Sequence, residues 1–184
     1  MNTFTKNTLA ASTLLLTSFA VSVQAAEYEI DPAHSSIHFK VNHLGFSKTV
    51  GRFNDFNGSF SDTSGKEKAE VTIQVASIDT NHAERDKHLR SPDFFDAKQY
   101  PTITFKSSKV KNGKLMGELT MHGKTREVTL DGVVVGEGKD PWGGYRKGFS
   151  GSTVVKRSDW GVSHFLPGVS DEVEISLNIE AIRK

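Results

Sequence analysis

Seven histidines, 22 acidic residues and no cysteine set the chemistry open to this 184-residue chain. The missing cysteines exclude disulfides, thiol nucleophiles and thiolate metal sites. His34 and His38 are four apart, but on an extended segment such residues lie roughly 13 Å from each other. His82 and His88 are six apart around a short helical stretch, which turns them to different faces. His43, His122 and His164 fall in separate loops or turns. There is no His-Glu-x-x-His and no closely spaced ligand trio, so a metal site can arise only by tertiary convergence and none is assigned. Nucleophilic catalysis lacks its elbow, because Gly148-Phe149-Ser150-Gly151 does not fit Gly-x-Ser-x-Gly. The acid pairs Asp171-Glu172 and Glu84/Asp86 read as solvated charges as readily as a hydrolytic dyad. Gly143-Gly144 lies between strands, where a phosphate-cradling loop would sit between a strand and a helix. No catalytic residue and no cofactor is assigned.

The elements that would position a site are strands. Ile37, Phe39 and Val41 alternate with His38, Lys40 and Asn42, and Val71, Ile73 and Val75 with Thr72 and Gln74. Ile103 and Phe105 alternate with threonines, and Val173, Ile175, Leu177, Ile179 and Ala181 with polar partners. Period two places one face in a core. Further strands fit Val50–Phe60, Leu115–Met121, Val128–Val135 and Gly148–Lys156, making about eight, an all-β sandwich or barrel. Asn112-Gly113 signals a two-residue hairpin, His122-Gly123-Lys124 another tight turn and Asp62-Thr63-Ser64-Gly65 a looser one. Such hairpins build an up-and-down sheet, and closing it into a barrel removes its edges.

One stretch departs from this pattern. Asn81 with Glu84 has the spacing of a helix cap, and Ala83–Arg90 predicts a short helix ended before Pro92. With Phe94-Phe95 beside it, this segment reads as a plug or lid on a barrel end, against the alternative of a solvated connector. Gly117, Gly132 and Gly151 fall in phase with inward residues of three strands. Glycine inside a strand marks a bend or a close approach. An eight-stranded barrel can be filled by side chains or hold one small ligand. Missing side chains suit the ligand, while corner-bending explains the same glycines equally well.

Residues 1–25 carry Lys6, then an uncharged apolar stretch over Leu9–Val23, then Val23-Gln24-Ala25 with small residues at the exit. That order reads as a secretory signal peptide, too short and too interrupted by serine and threonine for a membrane span. Residues 26–184 are then expected to form one domain outside the cytoplasm. Losing Lys6 leaves 22 basic against 22 acidic side chains. A neutral surface supplies no field to gather nucleic acid or anionic lipid headgroups, and no second apolar stretch predicts stable membrane insertion.

Several motifs, in order along the chain, resemble the YceI-like bacterial proteins. They are His43-Leu44-Gly45-Phe46-Ser47 with Gly51-Arg52-Phe53, Ser77-Ile78-Asp79-Thr80, and the long run from Arg85-Asp86 through Ser91-Pro92-Asp93-Phe94-Phe95-Asp96. Tyr100-Pro101-Thr102-Ile103-Thr104-Phe105, Leu119-Thr120-Met121-His122-Gly123 and Asp140-Pro141-Trp142-Gly143-Gly144 follow. Arg157-Ser158-Asp159-Trp160-Gly161 and Val169-Ser170-Asp171-Glu172-Val173 complete the set, with Trp160 standing where the family more often has an aliphatic residue. The resemblance implies a lipocalin-like antiparallel β-barrel whose apolar tunnel holds a polyisoprenoid or similar amphiphile, a periplasmic location and a homodimer. Alternation and resemblance together nominate Ile37, Phe39, Val41, Phe53, Val71, Ile73, Phe105, Leu119, Met121 and Phe149 for the tunnel wall. His43 and Arg52 are candidates for an anionic headgroup. A quinone binder, a lipid-acting enzyme assembled from distant residues, and a stress or interaction protein with a filled barrel remain as rivals. The run Val133-Val134-Val135, apolar on both faces, reads as a dimer seam or as a covered outer face.

Overall fold

The computed structural model describes residues 26–63 and 67–184. The expected signal peptide and the second half of the 62–65 turn lie outside the described residues. Eleven strands form one antiparallel sheet: β1 Glu27–Ile30, β2 Ser36–His43, β3 Ser47–Phe53, β4 Phe56–Ser61, β5 Lys68–Gln74, β6 Ile78–Asp79, β7 Thr102–Lys111, β8 Lys114–Met121, β9 Lys124–Lys139, β10 Tyr145–Lys156 and β11 Val169–Arg183. Eight of them close a ring in the order β1-β4-β5-β7-β8-β9-β10-β11, with β11 returning to β1. The all-β barrel, which alternation left open against a sandwich and the resemblance implied in lipocalin-like form, is the architecture observed. On the edge away from β10, the strand β11 serves two neighbours: Ala181–Arg183 pair with β1, while Val169–Asn178 pair with β2. Through β2, the short ladder β2-β3-β6 extends the wall at one end.

The order is therefore a meander only from β7 to β11. Its turns follow the local chemistry: Asn112-Gly113 and His122-Gly123 are two-residue connections with positive φ at both positions. That is the backbone twist a tight hairpin needs, and glycine reaches it without a Cβ penalty. Lys124, expected in the second turn, already belongs to β9. The stretch expected as one strand from Val50 to Phe60 is two, broken at Asn54-Asp55. Phe53 and Phe56 are both buried although they are an odd number of residues apart, which a continuous strand could not achieve.

The expected helix is present as α1, Ala83–Leu89, with His82 rather than Asn81 as its cap: His82 Nδ1 accepts from the Arg85 amide at 3.3 Å. Asn81 instead takes a left-handed turn conformation. The tight core gathers at this end of the barrel, from Phe53, Phe56, Val75, Ile78, Ile103, Met121, Val155 and Trp160. Trp160 is buried, and its indole N–H donates to the Leu119 carbonyl at 3.0 Å, so the larger ring is accommodated without an orphaned donor. Among the described residues, no helix is long and apolar enough to cross a membrane.

The opposite end is tied by Arg146, which donates to Asp31 at 2.7 Å, Glu180 at 2.6 Å and Asp140 at 3.0 Å. Arg146 first, then His34, hold the Asp31 carboxyl down at about 2. A depressed carboxylate contributes stability above its ordinary value near 3.8, and that contribution is lost as pH falls through the folded value. Arg146→Met is thus expected to be less stable than the native protein at neutral pH. The gap should narrow as pH drops from 3.8 to about 2. Urea unfolding at a series of pH values checks this, and a gap independent of pH would contradict it.

Candidate functional site

Between the two ends lies a cavity of about 790 Å³, within the range of roughly 300–1,000 Å³ usual for small-molecule sites. Ile37, Phe39, Val41, Phe53, Val71, Ile73, Phe105, Leu119, Met121 and Phe149 all border it. Val173, Ile175, Leu177 and Ile179 of β11 line the same space, as do Leu115, Val128 and Leu130. One strand face after another supplies an apolar wall because period-two alternation turns every second residue inward. Aromatic rings are grouped at both ends. Phe39 meets Phe53 at 5.7 Å and Phe53 meets Phe95 at 6.3 Å near α1. Phe149 meets Phe60 at 4.9 Å, and Phe60 stacks on Tyr28 at 4.7 Å, toward the other end.

The three in-phase glycines play different parts. A Cβ on Gly117 would fall 2.6 Å from the Phe105 ring, so that missing side chain is occupied by the protein itself. Gly132 and Gly151 both border the cavity and face each other across the β9–β10 ladder. Together they leave a patch of bare backbone on the wall.

The α1 end is closed. Leu89, Phe94 and Phe95 form a plug over the cavity, as the sequence reading of a lid expects, and Val162 and Val169 complete it. The plug is docked through Asp86, which is buried and accepts from the Thr80 amide at 2.9 Å and the Thr80 hydroxyl at 2.5 Å. Arg85 adds donors to the Thr80 hydroxyl and carbonyl, each at 2.7 Å. Arg157, also buried, commits its guanidinium to the carbonyls of Val162, Val169 and Ser170. These contacts explain the Asp-Thr, Arg-Asp and Arg-Ser-Asp-Trp motifs as fastenings of the closed end.

The other end is polar and reaches the surface, where Val133 is 65% exposed. Ser59, Ser61, Asp62, Glu67, Lys68 and Lys147 border the cavity there. Lys147 bridges Asp62 and Glu137, each at 2.9 Å, and lies over the rings of Tyr28 and Phe149. Burial opposes its charge, but the two carboxylates outweigh that and raise its pKa above the ordinary lysine value.

His43 and Arg52 do not border the cavity. Arg52 is sent outward by the alternation of β3 and faces Asp79 at 3.6 Å. His43 ends β2 beyond Val41, the last β2 residue on the wall, and pairs with Ser47 and Val169. Two cations stand at the polar end, Lys68 and Lys147, and Lys147 is in phase with Phe149 and Gly151 on β10, a signal the sequence carries. His34, read as part of an extended segment, lies in a short 3-10 turn and contacts Asp31 at 2.8 Å.

Comparison with known proteins agrees with this geometry. The sequence model of the YceI-like domain matches residues 28–181. The chain is 48% identical to a UPF0312 protein of Pseudomonas aeruginosa, over 97% of this chain and 99% of that one. It is 47% identical to a UPF0312 protein of Shewanella oneidensis, over 89% and 91%. Among solved structures, Burkholderia cenocepacia BcnA superposes with a TM-score of 0.73 at 29% identity, covering 82% of this chain and 98% of that one. The Campylobacter jejuni YCEI protein gives 0.70 at 33% identity, covering 78% and 90%. A domain from Saccharophagus degradans, described as polyisoprenoid binding, shares the fold with a TM-score of 0.65 at 16% identity, covering 85% and 98%. An eight-stranded barrel with this plug, this motif order and these relatives places the chain in the YceI-like family.

Proposed function

We propose that the protein binds and carries a long-chain isoprenoid-type lipid, its tail in the barrel and its headgroup at the polar end beside Lys68 and Lys147. The observation that carries this reading is the apolar cavity of about 790 Å³, closed by Phe94 and Phe95 at one end and polar at the other. That is the shape of an amphiphile. Burying apolar surface gains about 25 cal/mol per Å², so a tail hiding about 400 Å² contributes on the order of 10 kcal/mol with no polar contact. The apolar wall and the fastened plug suit binding rather than catalysis. The description of the Saccharophagus degradans domain points the same way, although at 16% identity the likeness speaks for the fold alone.

Removal of residues 1–25 would deliver the carrier to the periplasm, where an insoluble tail needs an escort. Two copies would pair through the exposed valines 133–135 on β9, which are 56–69% exposed. The test is expression of the full chain, purification from the periplasm without detergent, solvent extraction and mass spectrometry. A prenyl lipid at one per chain, a mature terminus at Ala26 and a dimer mass by light scattering are expected. Folded protein that is empty and stays empty after incubation with prenyl lipids would overturn the carrier reading.

A further inference from the structure

Two groups of histidine and carboxylate side chains converge among the described residues, and they differ in one decisive respect. Asp31, His34 and Glu180 already enclose a cation, since the Arg146 guanidinium bonds to both carboxylates. The second group, His88, Asp93 and His164, holds no guanidinium or ammonium: among the described residues no lysine or arginine is ion-paired to Asp93. Its three candidate donor atoms lie within 4.8 Å of one another. His88 Nε2 is 3.0 Å from Asp93 Oδ2.

These distances are near those of a coordination shell. Zinc bound at 2.0–2.1 Å by tetrahedral ligands keeps neighbouring donor atoms roughly 3.3 Å apart. The His88–Asp93 pair, hydrogen-bonded at 3.0 Å, is close to that spacing, and the exposed His164 offers its donor within 4.8 Å of both. Phe94 braces the site from below. Its ring meets His88 edge-on at 5.0 Å and His164 at 5.0 Å, and the two imidazoles are 5.4 Å apart. Two imidazoles and a carboxylate form a donor set for borderline transition cations, zinc above all, with a fourth position left to water.

We propose that His88, Asp93 and His164 bind a divalent transition cation that clamps the plug to the loop following Trp160. His88 stands on α1 and Asp93 beside Phe94, whereas His164 belongs to the loop between Val162 and Gly168. Phe94 and Val162 both border the cavity, so an ion joining the two segments fixes the closed end. The clamp's effect on ligand release rests on the carrier reading, but the ion site does not.

The two parts are tested separately. Tag-free protein carrying whatever lipid it purifies with is titrated with cobalt(II), read by its visible absorption, and with zinc against a chromophoric chelator. One ion per chain is expected. His88→Ala and His164→Ala, both at exposed positions, are expected to melt like the native protein without metal and to bind at least about tenfold more weakly. No saturable binding, or binding that both variants retain, overturns the site. Transfer of a fluorescent prenyl lipid to excess vesicles then tests the clamp. Zinc is expected to slow transfer from the native protein and not from His164→Ala, and equal slowing or none overturns the clamp. A protein that takes up no lipid refutes the carrier reading while the cobalt titration still decides the site.

Discussion

Gly132→Phe is expected to give a folded barrel, at least as stable as the native one, that retains less than a tenth of the lipid. The position is open: a Cβ there meets only the Ser150 carbonyl at 3.6 Å and the Gly113 carbonyl at 3.8 Å, ordinary van der Waals contacts. Replacing glycine within a strand also removes a backbone-entropy cost of roughly 0.5–1 kcal/mol. The added ring enters the cavity beside Leu130 and opposite Gly151, where it occupies space a tail would use. Displacing as few as two methylenes of tail forfeits about 1.6 kcal/mol, already more than tenfold in affinity. Thermal melting and extractable lipid per chain are measured on the same preparation. A stable variant with undiminished lipid would place the ligand elsewhere, and an unfolded one would mean the wall has no room. Because the substitution is apolar, lost lipid cannot be ascribed to a buried charge.

The wall of this cavity was readable because strand alternation assigns each residue a side, and Ile37, Phe39, Val71 and Phe105 follow it without exception. Three things were harder to read, each for a physical reason. The break at Asn54-Asp55 was hidden by apolar residues on both sides, although the phase slip from Phe53 to Phe56 recorded it. Charge alone nominates His43 and Arg52 for a headgroup, whereas alternation puts Lys147 on the inner face and Arg52 on the outer one. The convergence of His88 with His164 depends on how the plug docks against a distant loop. No spacing along the chain encodes that. Closure of β11 onto both β1 and β2 is equally non-local, since it follows from the length of β11 rather than from any turn.

Asp86→Ala is expected to loosen the plug by about 3 kcal/mol without unfolding the barrel, and so to speed lipid exchange through the α1 end. The carboxylate satisfies the amide and the hydroxyl of Thr80, which is 4% exposed. Hydrogen bonds to a charged acceptor are worth about 1.5–3 kcal/mol each, and a buried amide left unpaired costs about 1–3 kcal/mol. Alanine removes both contacts at once. The barrel ladder itself is untouched, because α1 belongs to no strand pairing: it packs beside the short strand β6 and meets the cavity through Leu89, with Phe94 and Phe95 of the segment that follows it. The loss therefore falls on local opening, where about 3 kcal/mol raises the open population by roughly a hundredfold. Amide hydrogen exchange should accelerate across Thr80 and α1 while β7–β11 stay protected. Transfer of bound lipid to vesicles should quicken in step. Asp86→Asn keeps one acceptor oxygen but no charge, and is expected to fall between the two. Unchanged protection of α1 in Asp86→Ala would show that the plug is held by its phenylalanines rather than by this buried carboxylate. Faster exchange of α1 with unaltered lipid transfer would instead put the route of the ligand at the polar end, past Lys147.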